Sequence, residues 1–197
     1  MDNKLIDLNQ TALVVIDVQK AFNDPKWGER NNLHAESNIA KLVKRWRQQQ
    51  QTVIHIKHLS DKVDSLFHPE HDGFECKEIV VPFPDEKIIT KKENSAFIGT
   101  NLESYLKELQ LTTVVITGLT TPHCVSTTTR MSSNLGFNTI LLSDATAAFG
   151  IYDHKGNYID PDTIHAISLA TLHDEFATIV STDQLIETID ENHPLRF

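Results

Sequence analysis

The feature that most constrains this fold is a series of short, continuously apolar segments separated by longer amphipathic ones. Short segments rich in β-branched residues are typical of strands that are buried on both faces of a parallel sheet. They lie at residues 11–17, 51–58, 86–91, 112–118, 138–145 and 176–182. Their alternation with helices predicts an α/β fold: a doubly wound, mainly parallel six-stranded sheet, with helices on both faces in three α/β/α layers.

The helices between these strands are indicated by apolar spacing and by polar residues at their ends. A helix over 34–50 is predicted because its apolar residues fall on one face at helical spacing. Gly136 is expected to end a second helix over 124–135. Three further helix starts are predicted: a capping box of Thr100 with Glu103, a capping box of Ser181 with Gln184, and Asp160 as N-cap before Pro161 in a helix ending near 174.

The length and composition predict one globular domain over residues 1–197, because domains commonly have this size. With 40% hydrophobic residues the chain can form a substantial core. The formal net charge of -9 argues against binding to nucleic acid, which requires a basic face. The stretch 59–85, rich in proline and charge, is expected to be a long irregular segment, and such segments are often functional.

Membrane association and secretion are not expected. No apolar run approaches the roughly 20 residues that span a bilayer. The opening MDNKLIDLNQ lacks the basic and then apolar pattern of a secretory signal. Cys76 and Cys124 are the only cysteines, and two thiols do not make a disulfide framework. We therefore expect a cytoplasmic protein with both thiols reduced.

Three polar residues stand where predicted strands end. In an open parallel sheet, ligands bind beyond the carboxyl ends of the strands. Asp17 closes the first strand, Lys91 closes the third, and Cys124 follows the fourth at a predicted helix start. A helix N-terminus and a nearby ammonium favour a thiolate, and a carboxylate could carry the thiol proton to a leaving amine. The turn at 118–124 could direct backbone N–H groups at a developing oxyanion.

Position alone also leaves ordinary structural roles open for these three residues. A cysteine at a strand–helix junction is often a small buried residue. Asp17 could cap the following segment, and Lys91 could be a solvated surface lysine.

Five blocks of sequence, in order, resemble the isochorismatase-like cysteine hydrolases, a family related to nicotinamidases. The blocks are LVVIDVQKAF (13–22), TKKENSAFIGTNLESYL (90–106), VVITGLTTPHCVSTTTR (114–130), LLSDATAAF (141–149) and IHAISLATLHDEFATIVST (164–182). The resemblance implies a catalytic triad of Asp17, Lys91 and Cys124. Lys91 is assigned because it lies four residues before Ser95, and its neighbour Lys92 is the alternative.

The same resemblance implies a cis peptide bond between Leu119 and Thr120, with the amides of Thr120 and Cys124 forming an oxyanion hole. In the implied mechanism, Cys124 attacks a carbonyl, ammonia or an amine leaves, and water then hydrolyses the thioester. A homo-oligomer is also implied, and no cofactor is expected.

A small-molecule substrate is expected to meet a largely apolar pocket with a few polar groups. Gln19 is a candidate to position substrate or water, because it lies two residues after Asp17 and so on the same strand face. Phe97 is a candidate that is equally compatible with core packing, as is Phe149. The predicted substrate-binding residues are Gln19, Phe22, Phe67, His123 and Phe149.

No metal site is predicted. Nicotinamidases carry an Asp-x-His element, and no aspartate in this chain is followed two places later by histidine. His55 and His58 are three apart on a predicted strand, so they point to opposite faces. His68 and His71 fall in the 59–85 segment, where exposed histidines are the simpler expectation.

These observations favour hydrolysis of an amide-type C–N bond in a small molecule, through a thioester. Three alternatives stay open. The first is hydrolysis of a vinyl ether, which needs the aspartate more than the thiol. The second is a non-catalytic binding protein with the same fold. The third is a redox-active thiol protein in which Cys76 would resolve a disulfide with Cys124.

Overall fold

The fold is built on one parallel sheet. The structure, a computed structural model, describes residues 3–4, 6–191 and 195–196. The strands are β1 (Asn3–Lys4), β2 (Thr11–Ile16), β3 (Val53–His58), β4 (Lys87–Lys91), β5 (Thr113–Leu119), β6 (Asn138–Ala147), β7 (Ile151–Tyr152), β8 (Tyr158–Ile159), β9 (Thr178–Val180) and β10 (Leu195–Arg196). Six of them form the central sheet in the order β4-β3-β2-β5-β6-β9, with every neighbouring pair parallel. The remaining four form two short antiparallel pairs, β1 with β10 and β7 with β8.

Five α-helices connect and cover the strands. They are α1 (Ala35–Gln48), α2 (Leu102–Glu108), α3 (Ser126–Asn134), α4 (Pro161–Ala170) and α5 (Thr182–Glu191). The predicted six-stranded doubly wound sheet is confirmed, as are the five predicted helices. No helix in the described part of the chain is long and apolar enough to cross a membrane.

Three of the four predicted caps and stops are present and one is not, and the helix predicted to end near 174 ends at Ala170. Asp160 accepts a hydrogen bond from the Thr163 amide and caps α4, with Pro161 as its first residue. Ser181 and Gln184 form reciprocal capping hydrogen bonds before α5, and Gly136, at a φ of 87°, follows the end of α3. The capping box of Thr100 with Glu103 is not formed. The Thr100 hydroxyl accepts from the Leu102 amide, and Glu103 instead pairs with Lys107 one turn along α2.

The core lies on both faces of the central strands. β2 is buried along its whole length, and its side chains alternate between two apolar clusters. Val14 and Ile16 pack on one face with residues of α2, whereas Leu13 and Val15 pack on the other with residues of α1 such as Trp46. This burial on both faces explains why the strand sequence is continuously apolar rather than alternating.

The strand order reverses beside β2. From β2 the chain moves outward through β3 to β4, and it then returns to pair β5 against the other side of β2. A reversal of this kind opens a crevice beyond the carboxyl ends of the strands, which is where ligands bind in open α/β sheets.

The segment at 59–85 is irregular, as predicted, with two short 3₁₀ turns at Asp72–Phe74 and Glu78–Val80. It runs beside the chain that follows β2. The Lys20 amide donates to the Glu75 carbonyl at 2.8 Å, and the Lys77 amide donates to the Val18 carbonyl at 3.0 Å. These hydrogen bonds fix the long loop against the crevice.

The close approach of β5 to β2 at the crevice can be tested by substitution of Gly118. A Cβ added there would lie 2.0 Å from the Ile16 carbonyl oxygen, and the φ of 120° disfavours any side chain. We expect Gly118→Ala to lower the free energy of unfolding by about 3–5 kcal/mol, because backbone rather than a flexible side chain must move. Gly136→Ala is the matched control, since it also has positive φ but no atom within 4 Å of the added Cβ.

The control should cost only about 1–2 kcal/mol of backbone strain. Urea unfolding of both variants measures the difference. Equal losses would show that the contact with Ile16 does not limit this position.

Candidate active site

Three elements bring Asp17, Lys91 and Cys124 together at the carboxyl edge of the sheet. Asp17 directly follows β2 and adopts a φ of 50°. Lys91 is the last residue of β4. Cys124 lies in a π-helical turn, Thr121–Val125, that joins β5 to α3. All three side chains are buried, with exposed fractions between 1% and 8%.

The Lys91 ammonium is the centre of this group. Its Nζ donates to Asp17 Oδ2 at 2.7 Å and to Cys124 Sγ at 3.2 Å. It also lies 3.0 Å from Nδ1 of His58, the last residue of β3. An ammonium has three N–H donors, so these three acceptors satisfy it completely.

The neighbouring lysine is in a different environment. Lys92 points to solvent, and its ammonium pairs with Asp61 at 2.7 Å, where both side chains are more than half exposed. Adjacent residues on a strand point to opposite faces. Lys91, not Lys92, therefore reaches Asp17 and Cys124.

The surroundings of the Cys124 thiol oppose its ionisation on balance. Burial raises the pKa of Cys124 to about 12; the Asp17 carboxylate adds to this rise and the Lys91 ammonium opposes it. The Cys124 Sγ lies 3.7 Å from Asn94 Oδ1, a contact that is compatible with a protonated thiol. Burial thus favours the neutral thiol, whereas the sequence pattern favoured a thiolate, and the state of the thiol stays a prediction. α3 begins only at Ser126, and a second buried negative charge beside Asp17 is unfavourable.

Asp17 carries the features of a base. Burial raises its pKa above the usual range, although the Lys91 ammonium works against this rise. Oδ2 is held by Lys91, whereas Oδ1 is buried and has no hydrogen-bond partner among the described residues. A buried carboxylate oxygen without a donor is unfavourable, and it is available to accept a proton.

The turn before Cys124 is fixed at several points. The peptide bond between Leu119 and Thr120 is cis. The Thr120 carbonyl accepts from the amides of His123 at 3.1 Å and Val125 at 3.3 Å. Thr120 Oγ1 lies 3.0 Å from His123 Nδ1.

Beneath the turn, a buried histidine on α4 ties it to the sheet. His165 Nδ1 lies 2.9 Å from Thr121 Oγ1, and its Nε2 lies 2.9 Å from the Ser143 carbonyl. The carbonyl can only accept, so Nε2 carries the proton and the Thr121 hydroxyl donates to Nδ1. These contacts hold the backbone that follows the cis bond in one arrangement.

Asp17 and Cys124 line a cavity of about 350 Å³, whereas Lys91 contacts both of them but does not line it. One wall consists of aromatic rings from separate segments: Phe22, Trp27, Phe67 and Phe149. The rings contact one another, with centroid distances of 5.3 Å from Phe22 to both Trp27 and Phe67. The polar lining groups include Asp17, Asn94, His123 and Cys124, and we call them the polar floor of the cavity. The aromatic rings form an apolar wall.

Four of the five predicted substrate-binding residues line this cavity: Phe22, Phe67, His123 and Phe149. Gln19 does not. Its side chain is fully buried, its Nε2 donates to the carbonyls of His58 and Phe74, and its Oε1 accepts from the His58 amide. The Gln19 amide therefore bonds to backbone groups, and the prediction that it positions substrate or water in the cavity was wrong. Phe97, the uncertain candidate, is core and stacks on Phe137.

Several residues of the cavity were not predicted. The missed lining residues include Lys26, Trp27, His58, Asn94, Pro122 and Ile151. Asn94, three residues after Lys91, could have been found from its closeness in sequence to the triad lysine. His58 closes β3 at the same sheet edge as Asp17 and Lys91, so the strand-end argument applied to it equally. No sequence signal marked the others.

Asp17, His58 and Cys124 also offer three ligand atoms within 4.8 Å of one another, a spacing suited to a metal ion. The Lys91 ammonium donates to these same three side chains. A divalent cation bound there would lie against a positive charge, so the donor set is suited to the ammonium and unsuited to a metal. The absence of a metal stays a prediction.

The fold and site define a class: doubly wound α/β proteins with a buried carboxylate, ammonium and thiol at the switch in strand order. The family model of the isochorismatase domain matches residues 11–184. The isochorismatase family protein YrdC of Bacillus subtilis is 65% identical over 182 residues, which cover 92% of this chain and 97% of YrdC. The chain belongs to the isochorismatase family, whose proteins are hydrolases.

Two further relatives extend the comparison. The crystal structure of an isochorismatase-family protein from Chromobacterium violaceum superposes with a TM-score of 0.93 at 34% identity, covering 97% of this chain and 99% of that one. Streptothricin hydrolase from Streptomyces noursei is 29% identical over 140 residues, 71% of this chain and 50% of that enzyme.

Alkylation of Cys124 tests the neutral thiol. Burial favours the uncharged form, so the thiolate fraction at neutral pH lies below that of a free cysteine, whose pKa is about 8.5. With a pKa of about 12, the rate should rise roughly tenfold per pH unit beyond pH 9.

The measurement uses Cys76→Ser, so that only one thiol reacts, and a free cysteine peptide as reference. The peptide rate should level off above its pKa while the Cys124 rate continues to rise. A Cys124 rate that is already constant near neutral pH would restore the resting thiolate.

Proposed function

We propose that this protein is a cysteine hydrolase that cleaves an amide-type C–N bond of a small molecule through a thioester on Cys124. The observation that carries the proposal is the Lys91 ammonium, which contacts Asp17 Oδ2 and Cys124 Sγ together, beside the cavity that these two residues line. A nucleophile, a base and a group that holds both in register are the parts that covalent acyl transfer needs.

In the first step, the thiol proton passes to Asp17 as sulfur attacks the substrate carbonyl. Oδ1 is the oxygen without a partner among the described residues, so it is the one that receives the proton. The raised pKa of Asp17 makes the carboxylate a stronger base for this transfer. Lys91 stays charged and stabilises the sulfur as negative charge develops on it.

In the second step, the tetrahedral intermediate loses ammonia or an amine, which takes the proton back from Asp17. The amides of Thr120 and Cys124, from the turn that precedes α3, are proposed to donate to the oxyanion. Water then attacks the thioester, with the same carboxylate as base, and regenerates the thiol. One carboxyl group thus alternates between base and acid, which requires that its second oxygen stays free of other donors.

The cavity favours a compact substrate with an apolar acyl group. Its wall of Phe22, Trp27, Phe67 and Phe149 supplies apolar contact, while Asn94 and His123 supply polar groups near Cys124. The similarity to an enzyme named streptothricin hydrolase supports hydrolysis as the reaction class. A homo-oligomeric state and a cytoplasmic location stay predictions, and light scattering on the purified protein would test the first.

Substitution of each triad residue tests the mechanism. Small carboxamides, such as benzamide and short aliphatic amides, are screened for ammonia release. Cys124→Ala and Asp17→Asn should lower kcat/KM by at least about 10³-fold on any amide that is turned over, because each removes a group that acts in the chemical step. Lys91→Met should do the same, and Lys92→Met is its matched control because Lys92 pairs only with exposed Asp61.

Intact mass measured during turnover should detect an acyl adduct on Cys124. Lys91→Met leaves a buried carboxylate unpaired, at a cost of about 3–5 kcal/mol, so its folding is checked by thermal melting. Activity that survives Cys124→Ala but not Asp17→Asn would replace this proposal with vinyl-ether hydrolysis. No turnover and no adduct with any amide would favour a binding protein.

A further inference from the structure

We propose that His58 is a positioning residue that completes the triad, by accepting the third N–H of Lys91 and so holding the ammonium between Asp17 and Cys124. The inference rests on the proposed function, because it concerns how the Lys91 ammonium is held in position beside Asp17 and Cys124. It adds a fourth side chain to a mechanism that otherwise has three.

The geometry leaves the Lys91 ammonium no unused donor. Nζ lies 2.7 Å from Asp17 Oδ2, 3.0 Å from His58 Nδ1 and 3.2 Å from Cys124 Sγ. Lys91 is almost fully buried, so water cannot replace a lost partner readily. Without His58, one N–H would need another acceptor, and Asp17 Oδ1 is an unused oxygen of the carboxylate that Nζ already contacts.

That alternative contact would impair the reaction. Asp17 Oδ1 is the oxygen proposed to take the thiol proton, and an ammonium hydrogen bond would occupy it. By engaging the third N–H, His58 confines Lys91 to Oδ2 and keeps Oδ1 free. The role is thus indirect, since His58 acts through the lysine.

The contact fixes the tautomer of His58. An ammonium can only donate, so Nδ1 must accept and the proton of the neutral ring lies on Nε2. Burial, together with the nearby Lys91 charge, lowers the pKa of His58 to about 4, so the ring is neutral near neutral pH. The neutral ring with its proton on Nε2 is therefore the form whose Nδ1 can accept a hydrogen bond from the Lys91 ammonium.

Side-chain hydrogen bonds from Gln19 hold the His58 backbone at the end of β3. The buried Gln19 side chain accepts from the His58 amide at 2.8 Å and donates to the His58 carbonyl at 3.0 Å. Phe67 packs edge-on against the imidazole, with ring centroids 5.3 Å apart. Gln19 does not line the cavity, but its hydrogen bonds to the His58 backbone help to fix the position of His58.

Two substitutions distinguish loss of the hydrogen-bond acceptor from loss of the volume of the ring. His58→Asn places an amide oxygen where Nδ1 was and keeps the acceptor, whereas His58→Leu fills the space without one. We expect H58L to lower kcat about 10- to 100-fold with little change in KM, the factor that one unmade hydrogen bond to a charged group represents. H58N should recover most of kcat. His173→Leu, an exposed histidine outside the cavity, is the control.

A second measurement does not need a substrate. In the Cys76→Ser background, alkylation of Cys124 should be slower in H58L than in its parent by a constant factor across pH, because a displaced ammonium supports the thiolate less. H58N should follow the parent. If no amide is turned over but this difference appears, the positioning role stands and the proposed reaction fails. If amides are turned over and H58L matches the parent in both assays, the positioning role fails.

The tautomer gives a test whose readout comes from the wild-type protein. Nitrogen NMR of the wild-type protein, with His58 assigned by comparison with H58N, should show Nδ1 unprotonated and Nε2 protonated. A proton on Nδ1 would overturn the proposal, because the ammonium would then face a donor. Equal loss in H58N and H58L, or a change confined to KM, would also overturn it in favour of ring packing or a substrate contact.

Discussion

The ion pair between Asp17 and Lys91 is the interaction on which the site depends. Both side chains are almost wholly buried, and each would be strongly unfavourable in the interior without the other. The pair is therefore an obligatory unit, and the chain supplies it from two strands that are separated by β3. Burial raises the pKa of the adjacent thiol, the Asp17 carboxylate adds to this rise, and the Lys91 ammonium opposes it.

The order of the strands determines which residues can meet there. β2 is central, and the chain reaches β4 on one side of it before crossing to β5 on the other. Residues that end β2, β3 and β4 and the turn after β5 consequently converge from both sides of the switch point. The sheet is rigid and packed on both faces, so it holds four polar side chains at hydrogen-bond distances inside a mostly apolar surrounding.

Much of the fold could be predicted from the sequence, because strands buried on both faces leave an unambiguous apolar pattern. The expectation that Asp17, Lys91 and Cys124 share one edge follows from parallel geometry alone. Other features depend on contacts that sequence does not display. Gln19 was given a substrate role from its spacing, yet backbone groups of His58 and Phe74 take up its amide. The sequence also favoured a thiolate from the nearby helix and lysine, and it does not display the burial that raises the pKa of the thiol.

The aromatic wall has a consequence for how substrate preference can change. Its rings come from the chain after β2, from the irregular 59–85 segment and from the chain after β6, and each packs on at least two others. A smaller ring at one position would let its neighbours tilt into the space, so the pocket would change shape beyond the altered residue. Substitutions in contact couple energetically. Selectivity in this pocket is therefore a collective property, and related proteins can diverge in preference through sets of compensating changes while the polar floor stays the same.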